Sequence, residues 1–104
     1  LTGLGDVPII LGGDWNATFS CLPVLENPDV LYMQDVPNSA HSKKIRKICN
    51  NFELYDPFRT LFPNRTDFSY SPWGTLRRNR SRLDFFLVSK NIMGNVEECY
   101  IGNN

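Results

Sequence analysis

The run Ser81 to Ser89, SRLDFFLVS, limits the fold of this chain more than any other stretch. It is aromatic and β-branched around one acidic residue, which marks a strand with at least one packed face. The acid is Asp84. A carboxylate in an otherwise apolar strand is costly unless it meets a metal, a cation or hydrogen-bond donors. The residue alone leaves two readings open, an ion pair with Arg82 or Arg59 and a place in a functional site.

A second apolar run, Val7 to Leu11, ends at Gly12 and Gly13 and has the pattern of a buried strand. The glycines permit a sharp turn at the strand's end, with Asp14 and Asn16 just past it. Ligands of open α/β sheets collect outside the carboxyl ends of the strands, so the spot is either a plain turn or the floor of a site.

The rest of the chain reads as short elements. Pro23, Pro28 and Pro37 forbid a long regular element between Phe19 and Asn38 and predict a surface loop. Asn38 or Ser39 can cap a helix running to about Asn50. Its Ile45, Ile48 and Cys49 face inward, and Lys43, Lys44, Arg46 and Lys47 form a solvated face. Strands are expected at Phe52–Tyr55, Asp67–Ser71 and Val96–Ile101, a turn or short helix between Asp56-Pro57 and Pro63, and a helical turn near Lys90–Met93. The stretch from Pro72 to Arg82 reads as a hairpin tip. Strands mixed with short helices predict an α/β or α+β sandwich layer.

Eleven basic and eleven acidic side chains in 104 residues suit one small domain or a piece of a larger one, and a balanced charge leaves the partner open. A chain beginning at Leu1 is expected to be a fragment or a processed product. No apolar run approaches the roughly 20 residues that span a bilayer, so no membrane segment is predicted. Cys21, Cys49 and Cys99 are odd in number and lack metal-ligand spacing, which points to a reducing compartment, nuclear or cytoplasmic. The Asn-x-Ser/Thr triplets at Asn16, Asn64 and Asn79 carry no weight without a secretory signal.

In order along the chain stand Gly13-Asp14-Trp15-Asn16, Asp56-Pro57-Phe58-Arg59, Phe68-Ser69-Tyr70 and Ser81-Arg82-Leu83-Asp84-Phe85. This series resembles the C-terminal half of the endonuclease/exonuclease/phosphatase superfamily. Its members carry G-D-[FLW]-N after a strand, D-x-[WF]-R later, and [SR]-R-[IL]-D-[YF] on a late strand. The stretch LYDPFRTLFPNRTDFSYSP followed by SRLDFFLVS is most similar to apurinic/apyrimidinic-type endonucleases of LINE-type (non-LTR) retrotransposons. The likeness covers nearly the whole chain from Pro8 onward.

The resemblance implies that residues 1–104 are the C-terminal part of a four-layered α/β sandwich of the DNase I-like fold, a mixed sheet flanked by helices. An N-terminal half and a final Ser-Asp-His segment would be missing, and this piece alone would be inactive. The implied reaction is metal-assisted hydrolysis of a phosphodiester by in-line attack of water, with Mg2+ or Mn2+. Asp14 would align and activate the water and share the metal with ligands outside this chain. Asn16 would hold that aspartate or a phosphate oxygen, and Asp84 would accept a hydrogen bond from a catalytic histidine that this chain lacks. His41 is better read as a surface residue.

Ser69 matches a cleft-lining position, usually threonine, whose hydroxyl can donate to phosphate. Trp73, Arg77, Arg78, Arg80 and Arg82 would contact DNA from the hairpin, and Arg59 would brace its turn, with Asp56 as its expected partner. The implied function is DNA nicking by the endonuclease domain of a retroelement reverse-transcriptase polyprotein. Its partners would be DNA and the remaining half of the domain or a second copy. The alternatives are a cellular phosphoesterase or abasic-site nuclease of the same fold, and a catalytically dead DNA-binding module.

Overall fold

The computed structural model describes residues 7–31, 33, 35–70 and 80–102. They form a mixed α+β fold: β1 (Ile10–Asp14), β2 (Val30–Leu31), α1 (Ser39–Phe52), β3 (Leu54–Tyr55), α2 (Pro57–Leu61), β4 (Arg80–Ser81), β5 (Asp84–Ser89) and α3 (Lys90–Met93). A 3-10 turn, Val24–Glu26, precedes β2. Strand β5 is central in a three-stranded sheet of order β1-β5-β3, and β2 and β4 make a separate pair. Every described pairing is antiparallel, where a mixed sheet was expected.

Alternation along β5 divides the sheet into two faces. Phe85 and Leu87 point to the face covered by α1 and enter the core with Ala17, Phe19, Ile45, Cys49 and Leu54. Phe85 is its hub. Trp15 stacks on its ring at 5.6 Å between centroids, and Phe19 meets it edge-on at 6.1 Å. The Trp15 indole N–H donates to the Phe85 carbonyl at 2.8 Å, so the largest apolar side chain of the segment is also polar-satisfied. Asp84, Phe86 and Val88 point to the other face, and α2 also packs against β5.

Helix α1 runs two residues further than expected and ends where Glu53 adopts a left-handed conformation, φ 51°. That turn takes Phe52 into the helix and delays β3 to Leu54. At the other end Asn38, φ 49°, makes no side-chain cap; its amide donates to the Asn16 carbonyl instead. Ser42, Ile45 and Cys49 are buried, whereas Ile48, expected inside, is half exposed. Lys43, Lys44 and Lys47 are exposed, and Arg46 lies 4.4 Å over the Phe19 ring.

Five expectations are corrected. The first strand is neither buried nor stopped by its glycines: β1 runs through both to Asp14 and is exposed along its length. It lies at a sheet edge, so burial has to come from a neighbour. Residues 19–38 are not a surface loop throughout, because Phe19, Ser20, Asn27, Asp29 and Val30 are buried. The run 81–89 is two strands, broken at Arg82 and Leu83. Asp67–Ser71 contributes only a bridge from Tyr70 to Ser81, Ser71 lying outside the described residues, and Val96–Ile101 forms no strand. The cysteines are free, and among the described residues no helix is long and apolar enough to cross a membrane.

Candidate active site

The antiparallel register sets Asp14 directly opposite Asp84 at one end of the sheet. Ser89 N–H donates to the Ile9 carbonyl at 3.0 Å and Trp15 N–H to the Leu83 carbonyl at 2.9 Å, so those are the hydrogen-bonded pairs of the ladder. By alternation Asp14 and Asp84 form a non-hydrogen-bonded pair, in which Cα atoms lie about 4.5 Å apart and side chains share one face. Two like charges so placed repel each other. Among the described residues neither carboxylate has a cationic partner.

Each acid is held by its own local device. The Asp14 Oδ1 accepts the Asn16 N–H at 2.9 Å, a short Asx turn that leads the chain away from β1. Asn16 itself is left-handed, φ 51°, a conformation that asparagine tolerates. Asn16 therefore holds Asp14 through its backbone, while its side chain is exposed. On the other strand the Ser69 Oγ accepts the N–H groups of Leu83 and Asp84 at 3.0 and 3.1 Å. With both lone pairs engaged, its single O–H is left to donate elsewhere.

Asp14, Ser69 and Asp84 line one cleft of about 300 Å³, whose walls include Phe86, Cys99 and Tyr100. Burial and the nearby Asp56 push the Cys99 thiol above its ordinary value, which Arg82 only partly offsets. Asp84 is exposed to this cleft, which answers the difficulty of a carboxylate in an apolar strand: it sits at the strand's first position, on the open face.

Arg82 is a correction. Expected to touch nucleic acid, it is 1% exposed and pairs with Asp29 and Asp56. Asp29 is the residue that sequence reasoning missed. Fully buried, it accepts the Ser20 N–H at 2.9 Å, the Arg82 Nε–H at 2.8 Å and a bond from the Arg59 guanidinium, while its carbonyl takes the Arg82 N–H at 2.8 Å. Burial alone would raise the Asp29 carboxyl; the Arg82 charge and the hydrogen bonds outweigh it and hold the group below its ordinary value. Burial would likewise lower the Arg82 pKa, but bonding and charge from Asp56 and Asp29 raise it instead.

Arg59 does brace its turn, through the carbonyls of Phe62 and Arg65, although its acidic partner is Asp29. Asp56 caps α2 by accepting the Arg59 backbone N–H at 3.3 Å. Neither arginine is therefore available to Asp84. The one signal in the sequence was Arg82 itself, a cation inside the same apolar run that needed an acid.

Arg80 is partly buried in β4, opposite Leu31, and His41 is exposed on α1. Trp73, Arg77 and Arg78 lie outside the described residues. Among the described residues no three or more His, Cys, Asp or Glu side chains gather as a metal-binding group. No family model matches this chain, and no curated protein matches it.

Proposed function

We propose that this chain is the C-terminal part of a DNase I-like domain that hydrolyses phosphodiesters with a divalent metal, as the DNA-nicking endonuclease of a LINE-type retroelement polyprotein. The observation that carries the reading is the facing pair Asp14 and Asp84, without a protein cation among the described residues, on the open side of a cleft shared with Ser69. Carboxylate oxygens suit a hard cation such as Mg2+ or Mn2+, which Asp14 would share with ligands outside this chain. When bound, the ion supplies charge neutralisation at phosphate and at the leaving oxygen.

The chain's own residues do the rest. Asp14, with one oxygen fixed by the Asn16 N–H, turns the other toward a water, orients it and takes its proton. Asp84 accepts a hydrogen bond from a cationic imidazole supplied from outside this chain, favouring its charged form beside the phosphate. Ser69 donates its free O–H to a phosphate oxygen. Trp73, Arg77, Arg78 and Arg80 contact the DNA, a role from which the buried Arg82 is withdrawn.

The test is nicking of supercoiled plasmid with Mg2+ by the complete domain containing this chain. Asp14→Ala should lower the rate by about 10²-fold or more while folding and DNA affinity persist. A variant that still nicks at the parent rate removes Asp14 from the reaction. Changing Arg77, Arg78 and Arg80 together to Ala should weaken binding and leave the chemistry intact. Turnover of a soluble phosphoester with no plasmid nicking would make the protein a cellular phosphoesterase; salt-sensitive DNA binding without any cleavage would make it a binding module.

A further inference from the structure

We infer that Trp15 is a positioning residue: its indole N–H, bonded to Phe85, holds the last pair of the β1-β5 ladder closed and so keeps Asp14 and Asp84 face to face. The inference rests on the reading of these two acids as the groups that act on phosphate.

The pair needs holding. Strand β1 ends at Asp14 and β5 begins at Asp84, so the two carboxylates occupy the last rung of the sheet. The end of a ladder opens most easily, and like charges facing each other push it apart. The next rung, Trp15 with Leu83, falls where antiparallel strands exchange two hydrogen bonds. One of them is made: the Trp15 N–H donates to the Leu83 carbonyl at 2.9 Å. The Leu83 N–H goes to the Ser69 Oγ at 3.0 Å, so the return bond is given up.

The indole supplies the second tie. Its Nε1–H donates to the Phe85 carbonyl at 2.8 Å, and its ring stacks on the Phe85 ring at 5.6 Å with the planes 18° apart. Trp15 therefore grips β5 at Leu83 and at Phe85, on either side of Asp84. The same grip reaches Asp14, because the next residue, Asn16, gives its N–H to the Asp14 Oδ1 at 2.9 Å. Beyond that turn Ala17 and Thr18 are fully buried, which anchors the chain on its far side. Phenylalanine at position 15 would keep a stacked ring and lose the donor, so the tie can be removed without emptying the core.

Hydrogen exchange and nicking kinetics on the complete domain containing this chain test this together. Trp15→Phe should speed exchange of the backbone amide at position 15 by about 5-fold or more, as the loss of one hydrogen bond does, while the Leu11 and Leu87 amides in mid-sheet keep their protection. With plasmid and Mg2+, kcat should fall about 10-fold at unchanged KM for DNA, because a misplaced pair slows the chemistry and leaves binding alone. Phe19→Leu is the control. It trims the other ring that meets Phe85 and should lower the urea midpoint, with position 15 exchange and kcat both retained. Unchanged exchange in Trp15→Phe, or an equal loss of kcat in Phe19→Leu, overturns the inference. So does fast exchange of the Trp15 indole N–H in the unaltered domain, a measurement that needs no variant. The reading beneath it fails in a different place: a parent domain that does not nick with Trp15 intact overturns both, whereas one that nicks equally well as Trp15→Phe overturns this inference alone.

Discussion

Asp84→Asn removes one of two like charges that face each other across β1 and β5. Without divalent ions, the urea midpoint should rise by the equivalent of about 0.2–1 kcal/mol, because opposed like charges destabilise a strand pair by that order. Nicking by the complete domain should fall in the same variant. A substitution that stabilises the fold and removes the activity marks a residue retained for chemistry. If Asp84→Asn lowers the midpoint, the carboxylate is instead serving the fold. Arg82 is the contrary example at this scale. In the sequence it is one of four arginines near Trp73 and is read with them; its burial depends on Asp29, 53 residues away and inside a proline-punctuated stretch.

At the level of elements, β1 and β5 are matched through a glycine. A Cβ at Gly12 would stand 2.5 Å from the Phe86 ring, which lies over the strand backbone at the facing position. Gly12→Ala should drive the ring off β1 and cost about 1 kcal/mol in chemical denaturation. In a Phe86→Ala background the same change should be close to neutral. Equal costs in both backgrounds would mean that the ring is not the obstacle. Period and composition made α1, α2, α3 and the late strand legible, because each depends on its own residues. They could not show the break at Arg82 and Leu83. There the backbone leaves the sheet to bond Asp29 and Ser69, and those partners come from other segments.

Across the whole molecule, the buried group of Asp29, Asp56, Arg59 and Arg82 ties the segment before β2, the start of α2 and the link between β4 and β5. Asp29→Asn leaves two buried guanidinium groups short of charge and should cost about 3–5 kcal/mol, as breaking a buried ion pair does. The pH dependence has a definite sign. The folded Asp29 carboxyl titrates below its unfolded value, so its stabilisation is complete above the unfolded value and is lost as pH falls through the lower, folded one. Urea midpoints should therefore drop below about pH 4, and Asp29→Asn should flatten that decline. In the core cluster, Phe85→Ala should cost about 3–5 kcal/mol by opening the core beneath α1.

The residues themselves determined that α1, α2 and α3 form, that Asp84 belongs to an apolar strand and Asp14 follows two glycines after another, and that Ser69 precedes Asp84 at family-like spacing. These are local properties, written in side-chain volume, branching and turn chemistry. Only the tertiary structure decided which charges meet. The register brings Asp14 and Asp84 face to face and leaves them open to a cleft, while Arg82 and Arg59 turn inward to Asp29. The physical reason is that a charge is placed by its desolvation and by the partner that compensates it, and both are set by contacts between segments far apart in the chain.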